Sequence, residues 1–302
     1  MSQTLELMRR RISTAEDLYG VVRVMKALAA SSVRQYEAAV ESLAEYNRTI
    51  EEGLQVALRN RPESILPETV GGNRQAVIVF GSDQGMCGAF NEQIVTFTLE
   101  RLDALDDELG DIEVLAVGAR VVGRLEDAGC QVVQRLLMPS SIAGITPAVH
   151  KLLLAVEALR FAGGIDRLQV IHHRPGAHAS SRPQILQLLP VDRAWLDRLA
   201  ARDWDSRSLP TFSMKWRTLF SSLIRQHLFV ALYRAFAESL ASENASRLSS
   251  MQAAERNIQG HLEQLALDYH QGRQESIQAE LLDIVAGFET LMEDSAQTDR
   301  VG

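Results

Sequence analysis

The sequence predicts an α/β fold with long helices, in which an antiparallel coiled coil of the N- and C-terminal helices carries an inserted Rossmann-like α/β domain. All eight prolines lie between Pro62 and Pro210, as do 13 of the 19 glycines. Both proline-free ends show the apolar spacing of a helix, and strand-like runs alternate with helical runs between them. We therefore expect a discontinuous coiled-coil shaft of residues 1–61 and 211–302, and an α/β domain over residues 62–210.

The N-terminal segment predicts one helix of about 50 to 55 residues. Its apolar positions recur at alternating steps of three and four residues, and only Lys26 and Asn47 place a polar side chain among them. A single long helix with such a seam must pack against another helix. The seam consists of Leu5, Met8, Ile12, Ala15, Tyr19, Val22, Lys26, Ala29, Val33, Tyr36, Val40, Leu43, Asn47, Ile50 and Leu54.

The C-terminal segment supplies the expected partner helix. Antiparallel pairing within the chain is the simplest arrangement for two terminal helices that flank a compact insert. After Tyr269 the apolar spacing slips by one residue, which predicts a stutter that relaxes the left-handed supercoil. The seam runs through Met251, Ala254, Ile258, Leu262, Leu265 and Tyr269, and resumes at Ile277, Leu281, Ile284, Phe288 and Leu291.

The middle of the chain alternates short β-branched or apolar runs with helical runs, which predicts a parallel sheet with Rossmann-like topology. The predicted strands are 76–80, 113–117, 131–137 and 168–172, with 185–189 as a final edge strand, and the predicted helices are 92–109, 120–128 and 147–162.

Composition excludes several classes of protein. The chain has 31 Lys+Arg against 39 Asp+Glu, a net charge of −8, which argues against a general nucleic-acid binder. Its two cysteines cannot form a disulfide framework or a four-ligand zinc site, and they fit a reducing cytoplasm. No stretch is as continuously apolar as a membrane span, so we expect membrane association only through partners.

The loop over residues 81–91, GSDQGMCGAFN, is the first candidate for chemistry, because a glycine-rich turn between strand and helix is where α/β folds bind phosphate. Its glycines match neither G-x-x-x-x-G-K-[ST] nor G-x-G-x-x-G. We interpret the loop as a tight turn in which Asn91 caps the next helix, and we expect no cofactor there.

Cys87 in that loop is a candidate thiol nucleophile, which would need a histidine base. The strongest candidates are His172, His173 and His178, in the run HHRPGAH. No cysteine or glutamate stands at metal-ligand spacing from them, and two adjacent histidines rarely point at one metal. We interpret this run as a solvated loop at a strand end, and expect neither a catalytic nor a metal site.

The first helix is locally basic. Between Arg9 and Arg34 only Glu16 and Asp17 oppose its cations, which suits an acidic partner surface, although an exposed basic face without a partner is equally compatible. The cations are Arg9, Arg10, Arg11, Arg23, Lys26 and Arg34.

Five motifs in this order resemble the gamma subunit of F-type ATP synthases. Each motif alone is weak, whereas the combination is specific and covers most of the chain. The motifs are Arg10-Arg11-Ile12, VMKALAAS at 24–31, SDQGMCGAFN at 82–91, SLASENASRL at 239–248 and GRQESIQAELLDIVAG at 272–287.

This resemblance implies a non-catalytic rotor. In that family the coiled coil penetrates the hexamer of alpha and beta subunits, and the α/β domain is a foot on the epsilon subunit and the membrane ring of c subunits. Rotation couples ion translocation to ATP synthesis or hydrolysis in the beta subunits. The implied location is the cytoplasmic face of a bacterial inner membrane, through the complex.

The resemblance also implies interface residues. Met25 and Lys26 match a pair beside the acidic lever loop of a beta subunit. Arg247, Arg273 and Gln274 match interface residues of the C-terminal helix, the latter two near the beta-subunit catch loop.

The chain departs from the family pattern in three places. Gln278 stands at the interface position where a threonine commonly follows R-Q-x-x-I, no lysine precedes Lys26, and the chain continues past Gly287. These departures suggest a divergent member, as of an alternative F-type ATPase. Two other functions remain open: an α/β nucleotide-binding enzyme, and a coiled-coil scaffold that carries a sensor domain.

Overall fold

Two long helices begin and end the protein. This computed structural model describes residues 2–60, 74–106, 112–176, 181–204, 208 and 210–298. In that part of the chain, α1 (Ser2–Arg59) and α6 (Trp216–Thr298) flank five strands and four shorter helices. The intervening elements are β1 (Gln75–Phe80), α2 (Phe90–Asp106), β2 (Ile112–Val117), α3 (Ala119–Asp127), β3 (Val132–Leu136), α4 (Ile142–Gly163), β4 (Arg167–Pro175), β5 (Ser181–Leu189) and α5 (Arg193–Ala201).

The strands form one sheet in the order β3-β2-β1-β4-β5. Its first four strands are parallel, whereas β5 pairs antiparallel with β4 at the edge, so the predicted Rossmann-like sheet and its final edge strand are confirmed. Every residue of β1 is buried because helices cover both faces of the sheet. Ile78 and Phe80 pack towards α4 and α6, while Val77 and Val79 pack towards α2 and α3.

The chain forms two compact units. One combines Met1–Lys26 with Met251–Gly302, and the other is Ala27–Ser250. Both α1 and α6 therefore contribute residues to each unit. The boundaries at residues 61 and 211, drawn from the proline distribution, remain a prediction.

The unit of Met1–Lys26 and Met251–Gly302 is an antiparallel helix pair. The predicted α1 seam from Leu5 to Val22 is partly buried, as are its α6 counterparts from Ala254 to Tyr269. At one level Lys26 contacts Glu255, and at another a Cβ on Gly272 would lie 3.5 Å from Leu5 Cδ2. The intrachain antiparallel coiled coil is thus confirmed.

The predicted slip of the α6 seam after Tyr269 is wrong. The seam keeps its three- and four-residue steps and continues through the small residues Gly272, Ser276 and Ala279, whereas Ile277, Leu281 and Ile284 are exposed. Leu5 of α1 lies against Gly272, so the face of α6 that carries Gly272 is turned to α1, and Ile277, Leu281 and Ile284 lie off that face. The side chains of Phe288 and Leu291 lie outside the described residues.

Helix α5, which the sequence analysis did not predict, packs between α1 and α6 in the unit of residues 27–250. Leu54 of α1, Leu199 of α5 and Val230 of α6 form one apolar cluster. Side chains of α1 bind the C-terminal end of α5, because Gln55 Nε2 donates 2.5 Å to the Arg202 carbonyl and Arg59 donates to the same oxygen. These contacts satisfy a backbone acceptor that the helix itself leaves free.

The central part of α6 is buried on every side. Ten consecutive residues, Ala235 to Asn244, are buried, which is nearly three helical turns. Phe236 meets Phe80 of the sheet edge-on, with ring centroids 4.6 Å apart. A helix in this position is buried on all faces, as a central β-strand is, and has no solvent-exposed polar face.

One helix is more apolar than the sequence analysis allowed. Ile142–Phe161 of α4 is long and apolar enough to cross a membrane by length and composition alone, with a mean hydropathy of 1.5. Core helices of soluble proteins pass the same test. Ile145, Val149 and Leu152 of this helix are buried against the sheet, whereas Leu154 and Phe161 are exposed.

Shortening a buried side chain in the α1 seam should lower the free energy of unfolding far more than shortening one on the outer face of α1. Leu54 is 0% exposed and Leu28 is 63% exposed. We expect Leu54→Ala to lower the free energy of unfolding by about 2 to 5 kcal/mol, because it leaves a cavity. We expect Leu28→Ala to change it by less than about 0.5 kcal/mol. Urea unfolding of the two variants measures the difference, and equal losses would contradict this packing.

Candidate functional site

The loop after β1 is fixed by close packing rather than open to a ligand. Gly81 donates its N–H to the Val117 carbonyl at 2.8 Å, which extends the β1–β2 ladder. A Cβ on Gly81 would lie 2.3 Å from Val121 Cβ, so only glycine fits beneath α3. Gly88, with φ +58°, brings the loop against Ser246 and Ser250 of α6.

The Asp83 carboxylate binds an amide group at the N-terminus of α3, the helix that follows β2. Helix α3 has no capping side chain of its own, and the Asp83 carboxylate accepts from the Ala119 N–H at 2.7 Å and from the Met138 N–H at 3.0 Å. Free amide groups at a helix N-terminus are what attract anions. An anion bound at this helix N-terminus would have to displace the Asp83 carboxylate.

Asn91 does not cap α2, so that interpretation is wrong. The helix already begins at Phe90, and the Asn91 side chain turns back to the loop. Its Oδ1 accepts from the Ser82 N–H at 3.0 Å, and its Nδ2 donates to Ser82 Oγ at 2.7 Å. Asn91 therefore joins the start of α2 to the end of β1.

Cys87 is unsuited to nucleophilic chemistry. Burial raises the pKa of its thiol, and the Glu243 charge adds to that effect against opposing contributions from Ser82 and Arg247. Its hydrogen-bonding neighbours in the described structure are Ser82, Gln84 and Asn91, and none is a histidine. A neutral thiol without a base is a poor nucleophile.

The interpretation of His172 and His173 as a solvated loop is wrong. Strand β4 continues through both residues to Pro175, and both are buried because the sheet extends under α6 and α2. His178 lies outside the described residues. Over the part of the chain that the structure describes, no group of three or more His, Cys, Asp or Glu could hold a metal ion.

His172 belongs to a buried polar cluster between β4, β5 and α6. Its Nε2 lies 3.1 Å from Glu238 Oε2 and 2.8 Å from the Gln184 amide, while Arg234 Nε donates to Glu238 Oε1 at 2.8 Å. Burial alone would raise the pKa of Glu238, but His172 and Arg234 together hold it below its ordinary value. The cluster keeps a charged carboxylate in the core.

His173 points to the opposite face of the sheet and stacks on Phe90, with ring centroids 4.1 Å apart. Neither ring nitrogen has a hydrogen-bond partner among the described residues. Burial, together with the nearby His172, lowers the pKa of His173 from 6.5 to about 3. His173 is therefore a neutral core residue at physiological pH.

Glu243 and Arg247 form a second buried pair, one turn apart on α6. Arg247 Nη2 donates to Glu243 Oε1 at 2.5 Å, and Nη1 donates to Asn244 Oδ1 at 3.3 Å. Burial raises the pKa of Glu243, although Arg247 acts in the opposite direction. Removing one member of such a pair typically costs about 3 to 5 kcal/mol.

The structure divides the six predicted interface residues among different places. Arg247 is buried in the unit of residues 27–250, whereas the other five belong to the helix pair. Met25 and Lys26 are partly buried, and Arg273, Gln274 and Gln278 are exposed. Since Gly272 lies opposite Leu5, the two groups are about 30 Å apart along the helix pair, at about 1.5 Å per residue.

Three carboxylates important to this geometry escaped the sequence analysis: Asp83, Glu238 and Glu255. Glu255 carried a usable signal, because Lys26 at a seam position calls for a counter-ion at the same level of the antiparallel partner. Asp83 binds the Ala119 N–H, 36 residues away along the chain, and Glu238 binds His172, 66 residues away. No local spacing indicates such pairs.

Comparisons with known proteins agree on one family. A family model described as ATP synthase matches residues 4–291. The ATP synthase gamma chain of Granulibacter bethesdensis is 28% identical, over 95% of this chain and 99% of that one. The ATP synthase gamma chain of Janthinobacterium is 27% identical, over 92% of this chain and 96% of that one.

Solved structures share the fold. A chain from the cryo-EM structure of the Euglena gracilis mitochondrial ATP synthase, OSCP/F1/c-ring in rotational state 3, gives a TM-score of 0.67 at 18% identity and covers 96% of this chain and 95% of that one. A chain of the Tetrahymena thermophila central stalk and c-ring gives 0.54 at 19% identity, covering 78% of this chain.

Asp83→Asn should destabilise the protein without creating a ligand site. The amide keeps the size of the side chain but loses two charge-assisted acceptors, so we expect a loss of about 2 kcal/mol in urea unfolding. Asp103→Asn, at an exposed position on α2, is the matched control and should lie within about 0.5 kcal/mol of the parent. Equal stability of the two variants would contradict the anchoring role.

His173 should make the protein sensitive to acid. Because its pKa falls from 6.5 to about 3 on folding, the unfolded chain binds a proton that the native chain rejects between those values, and stability drops as the pH falls through them. Between about pH 7.5 and pH 4.5 this costs about 2 to 3 kcal/mol. His173→Phe keeps a ring against Phe90 and should flatten that loss in urea unfolding across pH. If the pH dependence of stability is the same in His173→Phe as in the parent, His173 is not the source of the acid sensitivity.

Proposed function

The chain belongs to the gamma-chain family of ATP synthases, and from this premise we propose how its two parts serve the complex. It is the non-catalytic central-stalk subunit. The helix pair, with the 1–61 and 211–302 boundaries predicted above, acts as the shaft inside the hexamer of alpha and beta subunits. The α/β part, residues 62–210, acts as the foot on the epsilon subunit and the c-subunit ring.

The observation that carries this proposal is the apolar outer face of the helix pair. On α1, Leu18, Val21 and Val24 are more than half exposed, with Val24 at 60%. On α6, Leu267 and Leu281 also point away from the seam. Two helices already paired cannot cover these residues themselves, and exposed apolar patches mark interaction surfaces. A surrounding ring of subunits is the partner with this geometry.

The predicted interface residues take roles along that surface. We assign Met25 and Lys26 to the acidic lever loop of a beta subunit, and Arg273, Gln274 and Gln278 to the catch loop. Arg247 contributes only through the 9% of its side chain that is exposed, since its guanidinium is engaged by Glu243. As the asymmetric shaft turns, these contacts pass from one beta subunit to the next and change their nucleotide affinity in turn.

The coupling role fixes the expected location. A shaft joined to a c-subunit ring works at the membrane without entering it. We place the chain at the cytoplasmic face of a bacterial inner membrane, as a peripheral component of the complex. Ion translocation at one end and ATP synthesis or hydrolysis at the other are carried by neighbouring subunits.

Reconstitution tests the proposal. We expect the purified chain neither to hydrolyse ATP nor to bind it tightly, and to restore cooperative ATP hydrolysis when combined with the alpha and beta subunits of its own organism. Truncation after Arg273 should weaken coupling between hydrolysis and ion transport. Failure to assemble would overturn the proposal, and saturable nucleotide binding by the chain alone would favour the enzyme alternative.

The outer face of α1 should matter for assembly but not for folding. Val21→Ala with Val24→Ala removes four methyl groups from the proposed contact, so we expect about 10- to 100-fold weaker binding to the alpha–beta hexamer. Thermal stability of the free chain should not fall. Leu154→Ala with Phe161→Ala, on the exposed face of α4, is the matched control and should bind normally. The reverse pattern would place the hexamer on the foot.

A further inference from the structure

Lys26 is held by a carboxylate of its own chain. Its Nζ lies 2.5 Å from Glu255 Oε2, across the helix pair from α1 to α6. The two side chains are 33% and 18% exposed, so the contact sits at the edge of the seam and borders solvent. Lys26 therefore satisfies its charge inside the chain while staying within reach of an external group.

Glu255 has no rival carboxylate nearby. On α1 no acidic residue occurs between Asp17 and Glu37, and on α6 none other than Glu255 occurs between Glu243 and Glu263. Arg23 and Arg256, each within three residues of one partner, add two further cations. Arg23 lies over the Tyr19 ring at 5.8 Å, and with Lys26 and Arg256 it outnumbers the single carboxylate of Glu255, so the local charge is positive. An acidic partner segment fits that balance.

Two of the predicted interface cations, Lys26 and Arg247, form ion pairs within the chain. The two pairs differ in how easily the cation can leave its carboxylate for another partner. Arg247 and Glu243 are both more than nine-tenths buried, so a partner could take Arg247 only by leaving a buried charge unpaired. Lys26 and Glu255 are partly exposed, and pairs of that kind are weak because water replaces the lost partner. Only the Lys26 pair can be opened and closed repeatedly.

We propose that Glu255 is a positioning residue that competes with an acidic segment of the surrounding hexamer for Lys26. In the shaft angle where that segment is distant, Glu255 keeps the ammonium group on the seam. In the angle where it approaches, the ammonium group is shared with it or passes to it. The inference rests on the proposed function, because it assigns the acidic segment to the hexamer that encloses the shaft.

The test is a double-mutant cycle on the assembled complex. We measure the rate at which the chain dissociates from the alpha–beta hexamer for the parent, Glu255→Gln, Lys26→Gln and the double variant. Glu255→Gln removes the competitor, so dissociation should slow about fivefold in the parent background. In the Lys26→Gln background the same change should alter the rate by less than about twofold, because no ammonium group remains to be released.

A matched control separates competition from net charge. Glu263→Gln removes one carboxylate from an exposed position eight residues further along α6 and leaves the Lys26 contact in place. It should leave the dissociation rate within about twofold of the parent. Raising the salt concentration should reduce the effect of Glu255→Gln more than it changes the control.

The outcomes are distinguishable from failure of the proposed function. A parent chain that does not assemble overturns both proposals. Assembly with equal effects of Glu255→Gln in the two backgrounds, or faster dissociation of Glu255→Gln in the parent background, overturns only the competition for Lys26. Thermal unfolding of each free variant shows whether the helix pair itself is intact.

Discussion

A helix buried on all sides must satisfy its polar groups within the protein, and the structure is organised around one such helix. The central turns of α6 lie against the sheet and α4 and contact Tyr36 of α1, so the side chains of Glu238 and Glu243 are more than nine-tenths buried. Each carboxylate therefore pairs with a cation on its own helix: Glu238 with Arg234, and Glu243 with Arg247. Glu238 also contacts His172 of the sheet. Register between α6 and β4 follows from that last contact.

Internal contacts also account for the polar and glycine residues of the loop after β1. The N-terminus of α3 would offer free amide groups at the end of the sheet, but Asp83 takes them for itself. Gly81 and Gly88 are needed for close approach to α3 and α6 rather than to a ligand. Glycines after a first strand thus indicate tight packing as readily as they indicate nucleotide binding, and the N–H partners decide which applies.

Periodicity predicted the fold well because it reports burial directly. The α1 seam follows from the spacing of apolar residues, and the five strands follow from short β-branched or apolar runs. The antiparallel pairing follows from the position of the two helices at the ends of a compact insert. Prediction failed where burial depends on distant segments. His172 and His173 are polar in sequence yet lie in the core, because Glu238 and Phe90 meet them there. Ile277 is apolar yet exposed, because the seam of α6 passes through Gly272 and Ser276 and leaves it on the outer face. Among site residues, Arg247 stands one helical turn after its partner Glu243, and Lys26 at a seam position called for a counter-ion on the partner helix.

The fully enclosed turns of α6 also have a mechanical meaning. In a rotor, the helix must not move relative to the domain that holds it. Here such a movement would rotate or translate α6 by at least one residue, about 100° or 1.5 Å. Such a step would move Glu238 away from His172 and place it against apolar side chains, at a cost of several kcal/mol. The ion pairs, which add little to net stability, therefore prevent rotation of α6 relative to the sheet. Torque applied to this helix is then transmitted directly to the sheet.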